Sequence, residues 1–177
     1  MGKLIATTQA TLDGVIDPVG EWVQEDGDHA QYSFERQARS AGLVLGRKTY
    51  EGLAGYWPNE TGKWADMVNP IPKWVGSNTL SGEITWNATL LEGDLEDSIP
   101  KLKGEVDGDL FMHGSGEFAH ALAAKGLIDE YEIYLNPIVW GEGNLHVLGD
   151  RGAVRLQLND VKRFDSGVVL LTYLPAG

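Results

Sequence analysis

The chain contains no cysteine, which excludes disulfides, thiolate nucleophiles and cysteine-held metals at once. Cations are scarce: 14 Lys and Arg stand against 26 Asp and Glu, a formal net charge of −12. Nucleic acid and anionic membrane surfaces require basic patches, so neither is expected as a partner. Histidine is sparse as well. His29, His113, His120 and His146 show no His-Glu-x-x-His or comparable ligand spacing, and no metal site is expected. No apolar run approaches the length that crosses a bilayer. The chain enters an apolar segment directly at Lys3-Leu4-Ile5-Ala6, with no signal-peptide pattern, so a cytoplasmic protein is expected. At 177 residues one domain, 1–177, is expected, large enough for a proper core.

What is present is more specific. Leu110-Phe111-Met112-His113 stops at Gly114-Ser115-Gly116, and Phe118, Leu122 and Ala123 then share one helical face. Strand, glycine turn and helix in succession leave free N–H groups at a helix N-terminus, where an anion can sit. The spacing Gly114-x-Gly116-x-x-Ala119 fits the dinucleotide fingerprint in its Gly/Ala form. The same residues also suit a tight turn that only packs a helix on a sheet. Leu43-Val44-Leu45-Gly46 repeats the pattern, and its helix opens with Arg47, Lys48 and Thr49. Two cations and a hydroxyl at the positive end of a helix dipole suit phosphate. Two such turns in one domain favour a ligand with several phosphates. Gly46-Arg47-Lys48-Thr49 is not a P-loop, because the upstream glycine is missing and Arg47 breaks the spacing. Ser115 is not a hydrolase elbow, because Glu117 stands where that motif needs glycine.

Strands are expected at 3–8, 43–46, 73–75, 83–86, 108–113, 130–139, 154–164 and 168–174, with Asp165-Ser166-Gly167 as a hairpin turn. Helices are expected at 28–41, 48–54, 95–103 and 116–125. Residues 9–24 read as a long loop and 55–72 as a second irregular region. Strands alternating with helices over the first two-thirds imply a mostly parallel sheet covered on both faces. The terminal hairpin implies an antiparallel edge. Ligands of such sheets bind beyond the carboxyl ends of the strands, where both glycine turns lie.

Four segments in order resemble the dihydrofolate reductase-like superfamily, and within it the branch containing the C-terminal reductase domain of the riboflavin-biosynthesis protein RibD. They are Thr11-Leu12-Asp13-Gly14-Val15-Ile16, Leu45-Gly46-Arg47-Lys48-Thr49-Tyr50-Glu51, His113-Gly114-Ser115-Gly116-Glu117-Phe118, and Gly126-Leu127-Ile128-Asp129-Glu130-Tyr131 running to Pro137-Ile138-Val139-Trp140-Gly141-Glu142-Gly143. The resemblance implies an α/β fold, a dihydrofolate reductase-like three-layer sandwich. It implies an NADPH-dependent reductase of a small heterocycle, in riboflavin or folate type metabolism: a pyrimidine with a ribosyl-phosphate side chain, such as 5-amino-6-(5-phosphoribosylamino)uracil, or a pterin. A homodimer is implied as well. A nucleotide-binding module without turnover on the same fold is the alternative.

The resemblance assigns cofactor phosphates to Gly46, Arg47, Lys48 and Thr49, and the diphosphate to Gly114, Ser115, Gly116, Glu117 and Phe118. It puts Ser77 and Asn78 beside the adenosine ribose and its 2′-phosphate. Ala6, Val15 and Ile16 fall near the nicotinamide. His113, just before the glycine turn, reads either as a hydrogen-bonding neighbour of the cofactor or as a plain strand-end residue. Asp28 takes the place of the early-helix carboxylate that serves substrate protonation; its residues alone read as helix-start acids beside Glu25 and Asp26. Trp22, Tyr50, Tyr56 and Trp57 could wall a flat ring by stacking, or serve as core and rim. Glu132, in the strand after the glycine turn, reads as a solvent-side residue.

Overall fold

The computed structural model describes residues 2–80, 83–113, 116–143 and 153–176. Its strands are β1 (Leu4–Ala10), β2 (Gly42–Gly46), β3 (Lys73–Gly76), β4 (Ala88–Leu90), β5 (Leu110–His113), β6 (Glu130–Leu135), β7 (Leu156–Arg163) and β8 (Val169–Pro175). Its α-helices are α1 (Asp28–Ala38), α2 (Arg47–Tyr56), α3 (Lys63–Val68), α4 (Leu95–Glu105) and α5 (Glu117–Ala124). The eight strands form one sheet in the order β4-β3-β2-β5-β1-β6-β8-β7. Pairings from β4 through to β6 are parallel, while β6–β8 and β8–β7 are antiparallel. A parallel neighbour needs a crossover, and the helices supply it.

The register sorts side chains to two faces. Leu4, Ala6, Leu110 and Met112 face one core with Ile99 and Leu102 of α4 and Leu122 of α5. Ile5, Leu43, Leu45, Val75 and Phe111 face the other, with Tyr50 and Val68 of α2 and α3. A third cluster of Tyr134, Phe164, Val168 and Leu170 lies under Tyr32 of α1. The parallel strands β2 and β5 are apolar without alternation because both faces are covered.

Two local expectations are corrected. The region 55–72 contains a helix, α3, whose C-terminal carbonyls at Val68 and Asn69 accept from the buried Nζ of Lys73 at 2.6 and 2.9 Å. Burial lowers that amine to about 8, and the Trp86 ring lies 4.1 Å away. The strand expected at 83–86 forms instead at Ala88–Leu90. Trp86 and Asn87 take φ values of +60° and +51°, which end any extended run before them. Trp86 turns inward, where its Nε1 donates to Asn69 Oδ1 at 2.7 Å.

Candidate functional site

Strands β2, β3 and β5 end side by side, at Gly46, Gly76 and His113. Beyond these ends lies a cavity of about 830 Å³. Helices α2 and α5 both start at its wall. Neither Gly46 nor Gly116, the residues that precede them, offers a side chain to cap the first turn, so the leading N–H groups are left for another acceptor. A Cβ built on Gly116 would meet nothing within 4 Å, whereas Cβ atoms on Gly46 and Gly76 would run into Phe118.

The cavity gathers most of the residues assigned to a cofactor. Gly46, Arg47, Lys48 and Thr49 line it from α2, Ser77 and Asn78 from the end of β3, His113 from β5, and Gly116, Glu117 and Phe118 from α5. Gly114 and Ser115 lie outside the described residues. Ala6 is not in the wall, but its register partner Met112 is. Val15 is a buried residue of the loop that follows β1, and its N–H donates to Thr11 Oγ1 at 2.9 Å; Ile16 beside it is half-buried.

A third strand-to-helix turn also reaches the cavity, through Leu91, Gly93, Asp94, Leu95 and Glu96 between β4 and α4. The sequence carried the signal, a short apolar run followed by Gly93-Asp94 and a helical stripe. Placing β4 five residues too early hid it. Lys125 and His120 of α5 complete the wall and were not foreseen either.

The cavity's cations are held by carboxylates of the chain itself. Arg47 Nη1 lies 3.1 Å from Glu51, Lys48 Nζ lies 3.8 Å from Glu117, and Lys125 is paired with Glu96. These pairs are exposed, so each contributes little to folding and can be exchanged for a ligand's phosphate. Burial drives the His113 imidazole down to about 4, which leaves it neutral at pH 7.

These features belong to a recognisable group of proteins. The RibD C-terminal domain model matches residues 2–170. The chain belongs to the RibD C-terminal domain family. The protein YyaP of Bacillus subtilis (strain 168) is 26% identical over 180 residues, covering 97% of this chain and 94% of its own length. A riboflavin biosynthesis protein from Shewanella sp. PV-4, described as putative, has a solved structure that is 22% identical with a TM-score of 0.71, covering 99% of both chains. Dihydrofolate reductase from Enterococcus faecalis, complexed with NADP(H) and RAB-propyl, is 17% identical with a TM-score of 0.66, covering 99% of this chain and 98% of that one. The dihydrofolate reductase-like fold read from the sequence is therefore the fold of this RibD C-terminal domain.

Other assigned residues lie away from the cavity. Asp28 is exposed at the start of α1, and its carboxylate accepts the backbone N–H groups of Asp165 (2.8 Å) and Ser166 (3.2 Å) in the β7–β8 hairpin turn. Those bonds hold its pKa below the ordinary 3.8. Beside it, buried His29 bonds Ser166 Oγ at 2.9 Å and the Gln24 carbonyl at 3.0 Å. Asp28→Asn is expected to loosen the turn and remove stability that is present at neutral pH and lost as acid protonates Asp28. Urea midpoints of both proteins at pH 7 and pH 3 check this: the gap at pH 7 should shrink at pH 3.

Of the aromatic residues, Tyr50 is core, and its hydroxyl accepts the Thr85 N–H at 3.0 Å. Trp22, near the end of the first loop, is buried. Tyr56 and Trp57 meet edge to face at 5.1 Å, with Tyr56 exposed. None of the four lines the cavity.

Glu132 corrects the expectation of a solvent-side position. Its side chain is 3% exposed, bonded to Arg36 of α1, with Glu130 Oε1 at 3.6 Å from the same guanidinium. No spacing in the sequence signals this pair, since its members stand 96 residues apart. Among the described residues no cluster of His, Asp or Glu could hold a metal.

Proposed function

We propose that the protein is an NADPH-dependent reductase of a small heterocycle. The observation that carries the reading is the meeting of both glycine turns, with Ser77 and Asn78, on a single cavity. Two uncapped helix starts supply N–H donors, and Arg47, Lys48 and Thr49 supply charge and a hydroxyl, the donor set a diphosphate and a ribose phosphate need. The cavity's size and its three converging strand ends suit a dinucleotide. The bound cofactor would supply hydride; the protein supplies orientation and electrostatics. Arg47 and Lys48 would bind phosphate by exchanging Glu51 and Glu117 for it. Neutral His113, at the β5 end, would hydrogen-bond without adding charge. The dihydrofolate reductase of E. faecalis holds NADP(H) on this fold, which favours the same class of cofactor here. The substrate fits the riboflavin and folate type: a pyrimidine with a ribosyl-phosphate side chain or a pterin. We place the protein in the cytoplasm as a homodimer, with the exposed Leu158 and Val161 of edge strand β7 as the candidate contact.

Titration with NADPH and NADH, followed by tryptophan emission, tests the reading. NADPH should bind with preference over NADH. Arg47→Gln and Lys48→Gln should each weaken NADPH about tenfold and flatten its salt dependence. Failure of the native protein to bind either nucleotide, confirmed by calorimetry, would remove the reductase reading.

A further inference from the structure

Two helices open onto the cavity with opposite charges. The first turn of α2 carries Arg47 and Lys48 and no carboxylate. The first turn of α5 carries Glu117 and no Lys or Arg. Both turns line the cavity. A carboxylate at a helix start is favoured by the dipole, so Glu117 suits α5 itself. It does not suit a wall that receives phosphate, because like charges repel. Nor is it tucked away. Its side chain is 64% exposed and reaches from α5 to α2, with Oε2 3.8 Å from Lys48 Nζ. Arg47 differs, since its partner Glu51 stands one turn on in the same helix and outside the wall.

The rest of the wall repeats the balance. Lys125 of α5 is paired with Glu96 of α4, and Asp94 stands two residues before Glu96. Among the described lining residues the cations Arg47, Lys48 and Lys125 are matched in number by Asp94, Glu96 and Glu117. Neutral His113 adds no charge. A cavity that draws in polyanions of every kind carries an excess of cations. This wall carries none, in a chain of net charge −12.

We infer that Glu117 is a selectivity residue, which admits a diphosphate esterified at both ends and turns away nucleotides with a free terminal phosphate. The inference rests on the reductase reading above. A phosphate esterified twice carries about one negative charge at pH 7, and a terminal one about 1.5 to 2. The bridge of a dinucleotide thus brings about two charges to the helix starts, and a nucleoside triphosphate about four. Repulsion from a fixed carboxylate grows with the charge brought beside it. Lys48 takes the bridge in exchange for Glu117, one anion for another. A denser polyanion gains no second cation from that exchange and meets more repulsion from Glu117. Specificity of this kind comes from an element set against the wrong ligand. The 2′-phosphate of NADPH, on the same reading, lies at Ser77 and Asn78 at the end of β3 rather than at α5.

The test compares NADPH with magnesium-free ATP, the first read by tryptophan emission and the second by displacement of the first. Glu117→Gln should tighten ATP about 30-fold and NADPH about threefold, so that the preference for the dinucleotide falls about tenfold. Glu117→Lys should carry the change further in the same direction. ATP binding should also become more sensitive to salt, because the wall gains net positive charge. A Glu117 that only braced α2 against α5 would weaken both ligands together when replaced. That result, or an unchanged ratio of the two affinities, overturns the assignment. A comparison in the native protein needs no variant to fold. ADP-ribose, whose diphosphate is closed at both ends, should bind about tenfold more tightly than ADP, and equal affinities overturn the assignment too. A native protein that binds neither NADPH nor NADH removes the reductase reading itself, and the selectivity with it.

Discussion

Arg36→Met is expected to cost about 3 kcal/mol of folding free energy, the lower end of the range for breaking a buried ion pair. Arg36 keeps a third of its side chain in water, but Glu132 is 3% exposed and has no other cation in bonding range among the described residues. Removing the guanidinium leaves a carboxylate in a dry place, and most of the cost is its desolvation. Lost stacking on Phe111 adds a smaller part. Glu132→Leu in the Arg36→Met background should recover most of the loss, since a well-packed apolar pair can match a buried ion pair. The sign of the pH dependence follows from the same carboxyl. Its folded pKa is already above the ordinary 4.5, and losing Arg36 raises it further. Protonation then favours the fold, fully below the unfolded pKa and no longer once pH passes the folded value. Arg36→Met should therefore be less destabilised at pH 5 than at pH 8. Urea unfolding at the two values measures it, and equal losses at both would place the cost outside Glu132.

The second large effect concerns the two glycines under Phe118. Gly46 and Gly76 are register partners at the ends of β2 and β3, and the ring of Phe118 lies across both. A Cβ on Gly76 would sit 2.2 Å from Phe118 Cε2; one on Gly46 would sit 2.7 Å from Phe118 Cβ. The first clash is with the far end of a side chain, the second with an atom fixed to the α5 backbone. Both Gly46→Ala and Gly76→Ala should destabilise the protein by about 1–3 kcal/mol, the usual cost of overpacking. They should differ in rescue. Phe118→Leu removes the ring and should restore Gly76→Ala, while Gly46→Ala should stay impaired because the Cβ remains. Since α5 must move in Gly46→Ala, that variant should also lose NADPH binding by more than Gly76→Ala with Phe118→Leu. Thermal melts with NADPH titration check both statements.

The sequence made the parallel part of the sheet legible because burial on both faces leaves unbroken apolar runs, as in Leu43-Val44-Leu45 and Leu110-Phe111-Met112. The glycine turns were legible for a related reason: a run that stops at glycine before a helical stripe has few other geometries. α3 was not, being six residues long and preceded by Gly62 at φ +101° rather than by a capping side chain. β4 was misplaced because nothing local announces that Trp86 will turn inward to Lys73 and Asn69. The roles of Asp28 and Glu132 depend on partners 137 and 96 residues away, and periodicity carries no information about such pairs. The glycine turns at the cavity wall are built from consecutive residues and could be read; the Arg36–Glu132 pair is built across elements and could not.

The place of β1 in the sheet has a consequence for how the chain matures. β1 leaves the ribosome first, yet its neighbours are β5 and β6, more than a hundred residues later. β2, β3 and β4 can pair as soon as they emerge, because they are close in sequence. The nascent protein therefore carries an apolar segment, Leu4-Ile5-Ala6, with no place in the sheet until β5 and β6 have been made. Such distant pairings slow folding and lengthen the exposure of sticky surface. Over that interval the strand that will sit at the middle of the sheet is exposed surface of the kind chaperones cover.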